Sequence, residues 1–141
     1  MQGTMWGNET IVYVDSYENN VLAGCFYNPN MPEVQAFHST MDLLKQVEIL
    51  LNEIRLPQSF SANRVFRRPA MISAQNVSAA TPKSGKLGTF ALRIMFRQNA
   101  SWQGAVTWLE GKREESFRSV LELLLLIDSA LDMTREEENE I

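Results

Sequence analysis

Shifted by 80 residues, the first half of this 141-residue chain lies over the second half without a gap. Asn19 meets Asn99, Gly24 meets Gly104, Phe37 meets Phe117, Ser39 meets Ser119, Asp42 meets Glu122, and Leu43-Leu44 meets Leu123-Leu124. A chain that carries one supersecondary unit twice packs the copies against each other, because neither copy buries its apolar face alone. The expected organisation is a single domain over 1–133, with repeat one at about 10–55, a connection over 56–88 and repeat two at about 89–132. An acidic tail, 134–141, closes the chain and is expected to be solvated and frayed. Hydrophobic residues at 45% and charged residues at 21% are globular values, so a chain of this length has the means to form a core.

Each copy opens on a hairpin pattern. Thr10 to Tyr17 and Val21 to Tyr27 are rich in β-branched and aromatic residues and flank Glu18-Asn19-Asn20. Thr89 to Arg97 and Ser101 to Leu109 flank Gln98 to Ala100 in the same way. Ser39 with Asp42, and Ser119 with Glu122, then form capping boxes, in which the serine oxygen and the acid each take an orphan backbone N–H. The first helix, about 40–55, carries Met41, Leu44, Val47, Leu50, Leu51 and Ile54 as its apolar stripe, with Lys45, Glu48 and Asn52 opposite. The second, about 116–132, is apolar around most of its circumference from Val120 to Ile127. Such a helix is either central to the domain or part of a self-association surface, and Leu124, Leu125 and Trp102 are the candidate interface residues of a homodimer. The fold class that results is α+β: two β-β-α repeats forming an antiparallel sheet with two helices on one face. Between the copies, Ala70 to Val77 reads as a further strand and Thr81 to Gly88 as a loop.

Charge is segregated along the chain. From Ile54 through Leu109 there is no acid, and Arg55, Arg64, Arg67, Arg68, Lys83, Lys86, Arg93 and Arg97 give that stretch a formal charge of +8. The remainder carries −12, for a net −4. If Phe90, Leu92, Ile94 and Phe96 face the helices, strict alternation sends Arg93 and Arg97 to the other face, together with Tyr13 and Tyr17 at the matching places. Two guanidinium groups for phosphates and two rings for bases suit single-stranded nucleic acid, and Arg64, Arg67 and Arg68 extend the track. The ordinary alternative is pairing of these cations with Glu18, Glu48, Glu110 or the tail.

Patterns for catalysis are missing. His38 is the only histidine and Cys25 the only cysteine, and neither C-x-x-C nor H-E-x-x-H occurs, so no metal or catalytic residue is assigned. Ser84 to Thr89 is superficially like a phosphate loop, but it lacks the leading glycine and precedes a strand pattern rather than a helix. No cofactor is implied. The longest apolar run, Val120 to Ile127, is far shorter than the roughly 20 residues that cross a bilayer, and the N-terminus has no basic-then-apolar leader. The expectation is a cytoplasmic protein with no membrane partner.

Phe96-Arg97-Gln98-Asn99-Ala100-Ser101-Trp102-Gln103-Gly104, Trp108-Leu109-Glu110-Gly111 and Phe117-Arg118-Ser119-Val120-Leu121-Glu122-Leu123 resemble a family of short uncharacterised proteins from anaerobic gut Firmicutes. The likeness runs from Ile11 to Tyr17, through Tyr27-Asn28-Pro29 and Pro57-Gln58-Ser59-Phe60, to Ser129-Ala130-Leu131, and it implies no activity. In architecture alone the pattern is similar to the single-stranded-DNA-binding transcriptional coactivator and Whirly-type proteins. The sequence thus points to a non-enzymatic binding or protein-interaction module that self-associates. Its alternative is a single-stranded nucleic-acid-binding protein using a basic and aromatic sheet face.

Overall fold

A computed structural model describes residues 9–54 and 85–139. Its elements run β1 (Glu9–Glu18), β2 (Val21–Tyr27), β3 (Gln35–Phe37), α1 (Thr40–Ile54), β4 (Gly88–Phe96), β5 (Gln103–Trp108), β6 (Arg113–Phe117) and α2 (Val120–Asn139). The class is α+β, with one antiparallel sheet in the order β3-β2-β1-β4-β5-β6. Each helix follows three strands, not the two expected. The additional strands, β3 and β6, are short edges, and β6 is written Arg-Glu-Glu-Ser-Phe, whose charges hide it from a hydrophobic-alternation reading while protecting the edge. For the same reason α2 starts at Val120, not at 116: residues 116 and 117 still belong to β6. At its other end α2 continues through the acidic residues to Asn139, where a frayed tail from Thr134 was expected. The expected strand over 70–77, and Arg55, Arg64, Arg67, Arg68 and Lys83, lie outside the described residues.

The strand order mirrors itself about the β1–β4 pair, and details recur 80 residues apart on either side. Both hairpins turn on two residues of positive φ, Asn19 (55°) with Asn20 (64°) and Asn99 (57°) with Ala100 (56°), which matches the twist of the flanking strands. Gly24 pairs with Phe37 on the edge strand, and Gly104 pairs with Phe117. A methyl group at Gly24 would collide with the Tyr13 carbonyl oxygen, and one at Gly104 with the Arg93 carbonyl oxygen, so the backbones approach as only glycine permits. The pairing of β1 with β2 slips by one residue between Val14 and Ser16, and that of β4 with β5 between Ile94 and Phe96. Asp15 and Met95 are the extra residues of two β-bulges.

The serine caps form as the sequence implies. Ser39 Oγ accepts from the Asp42 backbone N–H at 3.0 Å, and Ser119 Oγ from the Glu122 backbone N–H at 3.2 Å. The acids return the bond: the His38 backbone N–H donates to Asp42 Oδ2 at 2.9 Å and the Arg118 backbone N–H to Glu122 Oε1 at 2.8 Å. Leu43, Val47, Leu50 and Leu51 of α1 and Leu123, Ile127, Ala130 and Leu131 of α2 are buried in one cluster with Val12, Val14, Phe26, Phe37, Phe90, Leu92, Ile94, Val106 and Phe117. By register these strand residues share one face of the sheet, so the core is the layer between that face and the helices. Met41, expected on the α1 stripe, is exposed, and Leu43 takes its place.

Candidate functional site

The bulges decide where the chemistry sits. One extra residue reverses which face the following side chains take, so Tyr17 and Arg97 turn toward the helices instead of away from them. Arg97 is only 3% exposed and donates from Nη1 to Glu48 Oε2 at 3.2 Å and to Asn52 Oδ1 at 2.8 Å, both on α1. Trp102, 4% exposed, donates its Nε1–H to Glu48 Oε1 at 2.7 Å. Glu48 therefore uses both carboxylate oxygens on the other half of the chain.

Eighty residues away the same three places hold Tyr17, Leu22 and Asp128. The Tyr17 hydroxyl donates to Asp128 Oδ1 at 2.6 Å, on α2, and lies 3.4 Å from Asn20 Oδ1. Arg135 of α2 donates from Nη2 to the Tyr17 carbonyl oxygen at 2.8 Å, its guanidinium 6.0 Å from the ring centroid. Burial, the bond to Asp128 and the charges of Asp128 and Asp132 push the Tyr17 phenol up to about 12, with Arg135 opposing. Leu22 fills much less space than Trp102, and beside it opens a cleft of about 310 Å³ lined by Tyr17, Asn20, Thr40, Leu124, Leu125 and Asp128, among others.

Among the described residues, the two arginines and two tyrosines expected on one basic and aromatic face do not share a face. Arg97 and Tyr17 lie on the helix side, while Arg93 and Tyr13 lie on the opposite one. Arg93 is half-buried and pairs with Glu114 at 3.2 Å. Tyr13 is buried, and burial, with Cys25 and Tyr27 beside it, raises its phenol above the ordinary range. Phe96, expected inside, is 50% exposed, as the bulge at Met95 requires. Among the expected interface residues, Leu125 is 57% exposed and Leu124 half-buried, whereas Trp102 belongs to the core. Leu121, one turn before Leu125, is 65% exposed and was not singled out by sequence, nor was Asp128. The pairing of position 48 with 97, and of 128 with 17, depends on the bulges and has no local signal.

The lone cysteine and histidine find quiet surroundings. Burial, with Asp15 nearby, pushes the Cys25 thiol up to about 11, so it is protonated at neutral pH and a poor nucleophile. His38 is exposed before α1, and its backbone N–H serves the cap. Among the described residues no three His, Cys, Asp or Glu side chains gather closely enough to hold a metal ion, and no helix is long and apolar enough to cross a membrane. A smaller cleft of about 150 Å³ lies against α2, lined in part by Trp108, Arg113, Glu115 and Met133. Comparison of the chain with family models, curated proteins and solved structures gives no match in any of the three.

Proposed function

We propose that the protein is a non-enzymatic interaction module, built from a duplicated strand-and-helix unit, that self-associates through the outer face of α2. The observation that carries this reading is the exposure of Leu121 and Leu125, 65% and 57%, one helical turn apart and next to the open cleft. Two large apolar side chains stacked at i and i+4 on a solvent face suit a partner surface better than water. A protonated Cys25 and a capping His38 region favour binding over chemistry. A closed twofold dimer is the arrangement proposed, in the cytoplasm, and kinship with the short Firmicutes proteins is part of the same reading.

Sedimentation velocity tests it. The expected result is a dimer that the double substitution Leu121→Lys with Leu125→Lys converts to a folded monomer, since both side chains lie outside the core. A wild-type chain that stays monomeric at its highest soluble concentration overturns the proposal. A salt-sensitive shift of a single-stranded oligonucleotide, abolished by Arg93→Glu, would favour nucleic acid instead.

A further inference from the structure

The place where Trp102 meets Glu48 offers a comparison for the open cleft, which is lined by Tyr17, Asn20, Leu22 and Thr40 on one side and by α2 on the other. At the filled place an indole ring lies among core side chains and gives its N–H to a carboxylate on the other half's helix, Trp102 Nε1 to Glu48 Oε1 at 2.7 Å. At the open place the equivalent strand residue is Leu22, and the equivalent carboxylate is Asp128. Glu48 engages the indole through Oε1 and Arg97 through Oε2. Asp128 takes the Tyr17 hydroxyl on Oδ1, and its carboxylate is part of the cleft lining.

We propose that this cleft binds a planar aromatic molecule of the indole class, with its N–H donated to Asp128. Three features support that ligand chemistry. The cleft is open to solvent and has a volume of about 310 Å³, room for a small ring system to lie against its apolar floor. Its walls are Leu22, Leu124, Leu125 and Ile127, with polar groups confined to Tyr17, Asn20, Thr40 and Asp128. The polar groups are also held in place: the Leu22 backbone N–H donates to Thr40 Oγ1 at 3.0 Å, and Tyr17 is fixed between Asp128 and Arg135. An acceptor beside an apolar floor favours a donor on a flat apolar body. The same carboxylate, with Asp132 near Tyr17, disfavours an anionic analogue.

The binding site is independent of self-association, although Leu125 borders both. The test is a titration of isotope-labelled protein with indole, followed by resonances of Tyr17, Leu22, Leu124 and Ile127. The expected result is saturable shifts with a dissociation constant on the order of 1 mM, as for a fragment of this size. On the same wild-type protein 1-methylindole, which lacks the donor, should bind about tenfold more weakly, and indole-3-acetate should also be weaker. Leu22→Trp, which copies the filled place, should abolish the shifts. Sedimentation of Leu121→Lys with indole present separates the two readings, because that chain keeps the cleft lining and is expected to bind as a monomer. Absence of shifts with indole, equal affinity for 1-methylindole, or unchanged binding by Leu22→Trp overturns the proposal.

Discussion

Two places in this molecule meet one structural demand with different residues. Where β4 ends, a buried arginine and an indole close on Glu48. Where β1 ends, a tyrosine and a leucine meet Asp128 and leave a cleft. The positions correspond at an offset of 80 residues, and in both a strand of one half reaches the helix of the other. The contrast is between a place closed by a buried ion pair and an indole and one bordered by an open cleft.

The sharpest way to break the comparison is at its stable side. Arg97→Ala leaves Glu48 and Asn52 facing each other without the buried cation, and should cost about 3 kcal/mol in the midpoint-derived stability from urea unfolding. A loss below about 1 kcal/mol would mean that Arg97 is ordinary surface charge. The corresponding change at the open side is smaller. Tyr17→Phe removes one hydrogen bond to a half-buried carboxylate and should cost about 1 kcal/mol.

That tyrosine also carries a pH signature. Its folded pKa, about 12, lies above the ordinary 10.0, so the folded state holds the proton more tightly than the unfolded chain. The contribution is complete below pH 10 and is lost as pH rises toward 12. Cys25, raised to about 11, and Tyr13, raised by burial above the usual phenol range, act in the same sense at alkaline pH. Wild type should therefore lose stability with alkali more steeply than Tyr17→Phe, measured by unfolding at a series of pH values. Equal slopes would contradict the burial and bonding assigned to the phenol.

The smallest effect sharpens the comparison of the two turns. Asn20 and Ala100 occupy matching places with φ of 64° and 56°, but asparagine tolerates this conformation and alanine does not. Ala100→Gly should stabilise the chain by about 0.5 kcal/mol, the relief of strain being partly offset by backbone entropy. The same substitution at Asn20 should give less.

Much of this architecture was legible in local sequence. The hairpin patterns around Asn19-Asn20 and Asn99-Ala100, and the serine-acid capping boxes, each act over a few residues, and each forms where expected. The edge strands were not legible, because β3 is three residues long and β6 carries charges where a strand signal needs apolar alternation. The candidate site was lost for another reason. Strict alternation past residues 14 and 94 placed Tyr17 and Arg97 on the wrong face, because the bulges at Asp15 and Met95 appear only in the pairing with the partner strand. Met41 and Leu43 both fit an apolar stripe, and only the direction in which α1 meets the sheet chooses between them.

The central claim is that the open and filled places are two versions of one station, and a crystal structure of Leu22→Trp tests it most directly. The account predicts that the new indole occupies the cleft, with its nitrogen within hydrogen-bond distance of Asp128 and the Tyr17 bond retained, as Trp102 sits beside Glu48. An indole turned out to solvent, or a chain that rearranges α2 to accept it, would contradict the equivalence.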